Sequence, residues 1–355
     1  MTDFLVIGQG LAGSFVTDGL LKRGCSVHCA DPLVASASTV AVGLLNPVVG
    51  KRHSPHGKFV RHSPEAFAAY STITGAIVHH PIERILIGDE ERDLWQGRKE
   101  QLMEQNTVAS LAPSRHAEIA PFITGEWEGY TILGGARVDT ALVVQTFREQ
   151  FTRDGVLIPV AVPPDELSFD GETWNWCGRR YRRVVWCEGY RAQVNPYWSW
   201  LPYLNAKGHV LRVRISGVPL GALTICGGKY LVRLGDSDEF LFGADYDWHW
   251  KDDAVDGGSV DTLLHTLRSM LRADIELHSA RAGIRTVLMD FGAVLGAHPD
   301  HPALFICNGL GAKGALLAPA FATMLINHIL DGAALPREHN VARYWQKTVP
   351  PRPVE

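Results

Sequence analysis

The stretch Val6-Ile7-Gly8-Gln9-Gly10-Leu11-Ala12-Gly13-Ser14 decides the fold of this chain, because a strand precedes it and a helix follows it. The run from Asp3 to Ile7 is largely apolar, which is typical of a buried parallel strand. Residues 11–23 then carry apolar or small side chains at helical spacing. Ser26 to Ala30 forms a second predicted strand, which ends at Asp31-Pro32. The sequence therefore predicts a strand–loop–helix–strand unit.

Three glycines in this stretch, Gly8, Gly10 and Gly13, have the spacing of a dinucleotide-binding loop. The first glycine of such a loop allows a tight turn, the second lets the backbone approach a pyrophosphate, and the third permits close helix–strand packing. The helix beginning near Leu11 would direct its N-terminal amides at the phosphates. Asp31, 23 residues after Gly8, is placed to accept hydrogen bonds from an adenosine ribose. We therefore expect FAD or NAD to bind here, and a glycine turn that serves packing alone is the alternative.

The rest of the chain predicts two more pieces of the same kind. One is Val184-Val185-Trp186-Cys187-Glu188-Gly189, and the other is a strand from Ala303 to Cys307 followed by a glycine loop and a helix to about Leu330. Between them, short alternating strands from His209 to Tyr246 are split by turn signals at Gly227-Gly228 and Gly235-Asp236. This order predicts an α/β fold in which an antiparallel or mixed sheet of α+β type is inserted into a Rossmann-like domain.

The predicted domains are discontinuous. Residues 1–80, 139–205 and 275–355 form the expected nucleotide-binding domain, and residues 81–138 and 206–274 form the expected substrate domain. Ser63-Pro64 predicts the start of a helix that runs to about Ile77, since proline is favoured at the first helical position. Asp89 to Gln105 predicts one polar helix.

Composition excludes several classes of protein. The chain has 355 residues and a formal net charge of −4, which disfavours nucleic acid as the main partner. The dense basic run Arg179-Arg180-Tyr181-Arg182-Arg183 lies between two strand-like segments and predicts a solvated hairpin. Six cysteines without a CxxC pair, and no signal-peptide pattern, favour a cytoplasmic protein with reduced thiols. The apolar run from Gly314 to Leu330 is interrupted by Pro319, so we expect no membrane span, and the fifteen histidines show no metal-ligand spacing.

Three glycine segments favour FAD over NAD, because a nicotinamide domain normally has one such loop. On these segments the sequence resembles the D-amino-acid-oxidase-like superfamily of flavoproteins, which includes glycine oxidase, sarcosine oxidase and amino-acid dehydrogenases. The resemblance lies in VIGQGLAGS with Asp31, in the Ser/Thr-rich segment from Ala37 to Pro47, in VVWCEG, and in the segment from Ala282 to Pro319. Glu188 departs from the family, which usually has a small residue at that position.

The resemblance implies an FAD site and a reaction. The hydride of a carbon that bears an amine passes to the flavin N5, and the imine product hydrolyses. The implied substrate is a small amine or amino acid. The residues expected to bind FAD are Gly8, Gly10, Leu11, Ala12, Gly13, Asp31, Pro32, Ala37, Ser38, Val42, Gly43, Leu44, Val162, Gly189, Gly309, Leu310, Gly311, Ala312, Lys313, Gly314 and Ala315.

Two residues match family positions that contact the substrate carboxylate. Arg285 matches the carboxylate-binding arginine, whose planar fork suits that group, and a structural salt bridge is the alternative. Tyr230 matches a tyrosine on the same carboxylate, or it packs on the inserted sheet. Lys313 either adds positive charge near the reduced flavin or faces solvent. After the arginine the family continues with Pro and a polar turn, whereas residues 286–290 of this chain are TVLMD. The part of the site that would hold the substrate therefore differs from the family pattern.

Three other functions remain open from the sequence. A tRNA-modifying flavoenzyme would remove a carboxymethyl group from the aminomethyl side chain of a modified uridine. A non-catalytic flavin-binding protein would bind the cofactor without oxidising an amine. An NAD dehydrogenase with a different C-terminal domain would contain no flavin.

Overall fold

The computed structural model describes residues 1–50, 52–220, 223–226 and 229–345, and for Ile87 and residues 223–226 it describes the backbone alone. The turn predicted at Gly227-Gly228 lies outside the described residues. The strands of the described part are, in order from β1 to β21, Thr2–Ile7, Val27–Ala30, Leu44–Leu45, Val48–Val49, Ser54–Pro55, Ile77–His79, Ile82–Ile87, Val108–Ser110, Trp127–Ile132, Ala136–Val138, Leu157–Ile158, Ser168–Phe169, Trp174–Trp176, Arg179–Trp186, Ala206–Ile215, Leu223–Cys226, Lys229–Arg233, Glu239–Gly243, Ile275–Arg285, Val294–Ala297 and Leu304–Asn308.

The helices of the same residues are α1 to α9 in chain order. They span Leu11–Lys22, Ala37–Val40, Gly57–Ser71, Asp89–Gln96, Lys99–Glu104, Pro113–Ile119, Thr140–Arg153, Gly257–Met270 and Gly314–Asp331. Short 3-10 turns lie at Ala120–Phe122, Pro164–Glu166, Gly189–Gln193, Gly311–Lys313 and Val341–Tyr344.

The first packing unit contains Met1–Thr39, Thr140–Ala206 and Ile284–Glu355. Its sheet has parallel neighbours in the order β11, β2, β1, β14 and β21, with antiparallel strands β20, β13 and β12 at its margins. Helix α1 packs against α9 and α7. The predicted α/β class and its Rossmann-like unit are confirmed.

Strand β14 corrects one prediction. The run Arg179 to Arg183 is the first part of this strand, rather than a segment between two strands. Alternation explains the difference, because the arginines are exposed or half-buried while Tyr181 is fully buried. The hairpin turn lies before the run, at Cys177-Gly178, where both residues have positive φ.

Helix α9 is long and apolar enough to cross a membrane, by length and composition only. The most apolar 18-residue stretch between Gly311 and Asp331 is 56% buried inside the protein. The helix packs on α1 and carries a buried face that includes Leu317, Phe321 and Leu325. A core helix passes the same test, so this finding is weak evidence for a span.

The second packing unit contains Val40–Asp139 and Lys207–Gly283. Its main sheet has the order β19-β15-β18-β17-β16-β7-β9-β8, and it is mixed, since β16 and β7 are parallel while the strands from β15 to β16 and from β7 to β8 pair antiparallel. Apolar residues of α8, such as Leu263 and Leu267, pack in one core cluster with Val213, Phe240 and Phe242. A smaller sheet orders β3, β10 and β6.

Residues 40–80 and 275–283 pack with the second unit, whereas the predicted bounds assigned them to the nucleotide-binding domain. The physical reason is strand pairing. Strands β3 and β6 both pair antiparallel with β10, which joins residues 44–45 and 77–79 to residues 136–138.

Two predicted helices have different bounds in the structure. Pro64 lies inside α3, which begins seven residues earlier at Gly57, rather than at its start. Burial of Phe59, Ala66 and Tyr70 along one face outweighs the hydrogen bond that proline removes. The predicted polar helix divides into α4 and α5, which are separated at Gly97.

Candidate functional site

The glycine loop of the first unit leaves no room for larger residues. Gly8 has a φ of +100°, and a Cβ there would lie 2.5 Å from the carbonyl oxygen of Cys187. A Cβ on Gly13 would lie 1.7 Å from the carbonyl oxygen of Gly8. Both contacts are with backbone, which cannot move aside as a side-chain tip does. The first and third glycines are therefore required by the close approach of β1, α1 and β14.

The N-terminus of α1 is built to receive an acceptor. Its N-cap residue, Gly10, provides no side-chain cap, and the amide of Leu11 donates to Ser38 Oγ at 3.0 Å. Helix N-termini favour negative groups because their backbone N–H groups and dipole point outward. Ser38 and Ala37 belong to the short helix α2 of the same unit, so the structure brings these two predicted residues beside the glycine loop.

Asp31 stands at the end of β2 and is held by backbone donors. Its Oδ2 accepts from the amide of Gln9 at 2.7 Å, and its Oδ1 accepts from the amide of Leu33 at 2.6 Å. A carboxylate oxygen has two lone pairs, so each can accept a further hydrogen bond. Pro32 follows directly, and Val162 is buried in the core of the same unit. Asp31 is thus oriented where the ribose contact was predicted.

The second and third glycine segments are joined by Asn308, the last residue of β21. Its Nδ2 donates to the carbonyl oxygen of Gly189 at 2.9 Å, and its Oδ1 accepts from the amide of Gly309 at 2.9 Å. Both glycines have positive φ, and a Cβ on Gly309 would lie 3.3 Å from the backbone of Gly292 and Ala293. One buried amide therefore links the two loops.

Arg285 ends strand β19, and the next residue fixes the loop before α9. The carbonyl oxygen of Thr286 accepts from the amide of Gly311 at 2.9 Å. Lys313 is half-buried at the N-cap position of α9. The predicted residues of this segment, Gly309, Leu310, Gly311, Ala312, Lys313, Gly314 and Ala315, therefore form one continuous turn into α9 in the first unit, directly tied to the residue after Arg285.

Three predicted cofactor residues, Val42, Gly43 and Leu44, belong to the second unit. Leu44 is in β3, and the carbonyl oxygen of Gly43 accepts from the amide of Val138 at 2.9 Å. They lie beside β10, in the segment where the predicted and observed domain bounds differ.

Tyr230 lies on β17 of the second unit, in a row across the sheet that also contains Arg84 and Tyr130, with Ile225 between Tyr230 and Arg84. Ile225 pairs in register with both Tyr230 and Arg84, and Arg84 pairs in register with Tyr130. Residues that oppose each other in a sheet project to the same face, so Tyr130, Arg84 and Tyr230 share one face. The phenol of Tyr230 is hydrogen-bonded to Asn46, and burial raises its pKa.

Arg84, the cation in this row, is buried, with 4% of its surface exposed. Its Nη2 donates to Glu91 at 2.7 Å. The hydroxyl of Tyr130 meets His53 Nδ1 at 2.8 Å, and burial lowers the pKa of His53 to about 4, so that imidazole is neutral at neutral pH. Arg84 was not among the predicted site residues, and its one signal in the sequence was a cation directly before the apolar run Ile85-Leu86-Ile87.

Glu188 occupies the position where the family has a small residue. Its Oε1 accepts from Asn195 Nδ2 at 2.7 Å. Burial raises the pKa of Glu188 to about 7, although the hydrogen bond from Asn195 and the charge of Arg191 oppose the shift. Asn308 and Asn195 were also missed as site residues. The signal for Asn308 was an amide at the end of a buried strand directly before glycine, and Asn195 had no such signal.

The residues of the first unit fit a bound dinucleotide. The loop has no space for a Cβ at Gly8 or Gly13, the α1 N-terminus has no side-chain cap at Gly10, and a fixed carboxylate stands at the end of β2. This is the donor and acceptor set that a pyrophosphate and a ribose need. Among the described residues, no group of three or more His, Cys, Asp or Glu side chains is arranged to hold a metal ion.

Comparisons with known proteins agree with this fit. A tRNA 5-methylaminomethyl-2-thiouridine biosynthesis bifunctional protein MnmC, from Caulobacter sp. (strain K31), is 26% identical over 344 residues. The match covers 92% of this chain and 54% of that protein, so the chain spans about half the length of this relative.

Two solved structures show the same fold. Iminodiacetate oxidase from Chelativorans sp. BNC1 has a TM-score of 0.79 at 20% identity. The superposition covers 96% of this chain and 98% of the oxidase chain. Glycine oxidase from Geobacillus kaustophilus has a TM-score of 0.78 at 20% identity, with 97% of each chain covered.

The family model DAO, described as FAD dependent oxidoreductase, matches residues 3–327. The predictions of FAD as cofactor and of an oxidoreductase are confirmed, and the NAD and non-catalytic alternatives are set aside. The chain therefore belongs to the DAO family of FAD-dependent oxidoreductases.

Proposed function

We propose that this enzyme oxidises the C–N bond of a small amine that carries a carboxylate, such as an amino acid or an N-carboxymethyl amine. The observation that carries the proposal is the link between Arg285 and the turn before α9, since the residue after Arg285 binds the amide of Gly311. This hydrogen bond ties the backbone of the residue that follows Arg285 to residues 309–315, the segment proposed to hold the flavin.

The cofactor contacts proposed from the sequence are supported by the first unit. The glycine loop and the α1 N-terminus would hold the pyrophosphate, Asp31 the ribose, and residues 309–315 the flavin end. Bound FAD supplies the acceptor, at N5, for the hydride of the carbon next to nitrogen. The amides at the start of α9 would stabilise negative charge.

Arg285 and Tyr230 are proposed to orient the substrate through its carboxylate. A guanidinium offers a carboxylate two parallel N–H donors, and a neutral phenol adds an O–H donor. Burial raises the pKa of Tyr230, so this phenol keeps its proton at neutral pH. Glycine and iminodiacetate, after which the two structurally similar oxidases are named, are both amines with a carboxylate.

A tRNA substrate is the second candidate, favoured by the match to the bifunctional tRNA-modifying relative. The basic run of β14 gives it little support. Arg180 lies 3.4 Å from Asp170, Arg182 lies 3.1 Å from Asp3, and Arg179 contacts His28, so neighbours already engage these cations.

We also propose a cytoplasmic location, because the five cysteines whose side chains are described are all free thiols.

Anaerobic reduction of the enzyme-bound flavin tests both candidates. Glycine, sarcosine and iminodiacetate are compared with methylamine, which lacks a carboxylate, and with tRNA that carries the carboxymethylaminomethyl group. Bleaching of the flavin absorbance by a carboxylated small amine is the expected result. Bleaching by the tRNA alone, with salt-sensitive binding, would replace the proposal with the second candidate.

Replacing Arg285 tests its assignment. Arg285→Ala should raise KM for the best carboxylated amine about 10- to 100-fold, because charged hydrogen bonds contribute about 1.5–3 kcal/mol, and Arg285→Lys should restore part of the loss. The matched control is Arg281→Ala, an exposed arginine on the same strand, which should leave KM unchanged. An unchanged KM in Arg285→Ala would show that the carboxylate is bound elsewhere.

A further inference from the structure

Glu188 is an acidic side chain at the edge of the sheet where the pyrophosphate of the cofactor is proposed to bind. Strands β1, β14 and β21 are parallel and end at the same edge, where ligands of such sheets bind. The amide of Cys187 donates to the carbonyl oxygen of Ile7 at 2.7 Å, which ties the end of β14 to the end of β1. A Cβ on Gly8 would lie 3.1 Å from Glu188 Cα, so Glu188 is in contact with the first glycine of the loop.

The groups around Glu188 within the first unit act in opposite directions on its protonation, and the hydrogen bond from Asn195 favours the ionised form. Asn195 donates to Oε1, and the phenol of Tyr203 lies close enough that Glu188 raises the pKa of Tyr203. The Tyr203 hydroxyl is buried and has no hydrogen-bond partner among the described residues. A phenol O–H can donate to either form of the carboxyl group, so it is the burial of Glu188 that favours the protonated form.

The groups of the first unit that face Glu188 do not titrate with it. The positive charge of Arg191 favours the ionised carboxylate, but burial of Glu188 outweighs this effect. The pKa of the Cys187 thiol is raised well above its ordinary value by Cys307 and by burial, and that of Tyr203 is raised by burial. Glu188 is therefore the group among these four that changes protonation near neutral pH.

We propose that Glu188 is a positioning residue for the cofactor, which supports the glycine loop as a neutral acid and weakens dinucleotide binding when it ionises. A pyrophosphate at the loop carries negative charge, so it disfavours a second negative charge beside Gly8. Binding of FAD and retention of the Glu188 proton are then linked. This inference rests on the family's cofactor and does not depend on which amine is oxidised.

The sign of the pH dependence follows from this linkage. Bound FAD raises the pKa of Glu188 above its value in the protein without cofactor, which is about 7. Below that pH the residue is protonated in both states, and FAD affinity is at its full value. Above it the apoprotein loses the proton while the holoenzyme keeps it, so affinity falls by up to about tenfold per pH unit.

The test is the affinity of apoprotein for FAD, measured by quenching of flavin fluorescence between about pH 6 and pH 9. The wild type should bind about 10- to 100-fold more weakly at the upper end. Glu188→Gln should show no such slope and should bind at all pH values as the wild type does at pH 6. Glu172→Gln, at a turn position with 84% of its side chain exposed, is the control and should keep the wild-type slope.

A second measurement uses the wild type alone, so it tests the proposal even if the Glu188→Gln variant does not fold. The rate of FAD release from wild-type holoenzyme after dilution should stay constant near pH 7 and rise only above the pKa that Glu188 has with FAD bound, along a one-proton curve. A wild type whose affinity and release rate do not change with pH overturns the proposal, and so does a Glu188→Gln variant that keeps the slope. No amine is present, so failure here is separate from failure of the proposed oxidation.

Discussion

Gly13 lets helix α1 approach strand β1 more closely than any residue with a Cβ could. The obstacle would be the carbonyl oxygen of Gly8, at 1.7 Å. We predict that Gly13→Ala moves the helix away from the loop, lowers the free energy of unfolding by about 3 kcal/mol, at the upper end of overpacking costs, and abolishes FAD retention. Denaturant titration and the ratio of flavin to protein absorbance measure these two effects.

The control for this variant is another helical glycine. Gly57 begins α3, and no atom lies within 4 Å of a Cβ built there. Gly57→Ala should keep wild-type FAD content and change stability by less than about 1 kcal/mol. Wild-type flavin content and stability in Gly13→Ala would show that the loop can open without losing the cofactor.

The elements of the site meet where strands end, and Asn308 connects two of those ends. Replacement by Ala would leave the carbonyl oxygen of Gly189 without this donor, which costs about 1–3 kcal/mol when the group is buried. We predict that Asn308→Ala binds FAD about tenfold or more weakly, because the loops after β14 and β21 separate. Flavin fluorescence titration of the apoprotein measures the change.

Asn308→Asp sharpens this test. Aspartate can still accept from the amide of Gly309 but cannot donate to Gly189, so it should weaken binding as strongly as Ala does. Asn175→Ala, on strand β13 away from the glycine segments, should bind as the wild type does. If Asn308→Asp bound normally, the donated hydrogen bond would not set the loop separation.

At the scale of the whole molecule, each of the two units has its own apolar core. A ligand that binds only the folded state adds stability of about 2.7 kcal/mol at a hundredfold excess over Kd. We predict that this excess of FAD raises Tm of the apoprotein by about 5 °C. NAD at the same concentration should raise it by less than 1 °C, and an equal effect of NAD would contradict the assignment of the site.

The N-terminal strand–loop–helix–strand segment could be predicted from the sequence, because the residues that determine it are close together in the chain. The strand, the glycines and Asp31 lie within the first 31 residues, and the close approach at Gly8 and Gly13 admits only glycine. The segments that resemble the flavoprotein family predicted the cofactor, which the family match confirms. The short range of these interactions makes them visible in sequence order.

Contacts between distant segments had to come from the tertiary structure. Pro64 lies inside α3 because burial of one face outweighs a local breaker, and residues 40–80 join the second unit because β3 and β6 pair with β10. The row of Tyr130, Arg84 and Tyr230 exists only through strand register.

Glu188 shows the division most clearly. The sequence alone determined that an unusual acid follows β14 beside a nucleotide loop. Only the tertiary structure placed Asn195 and Tyr203 around it and removed it from water. The charge of a carboxyl group depends on its solvation and on its neighbours in space, and neither can be read from its position along the chain.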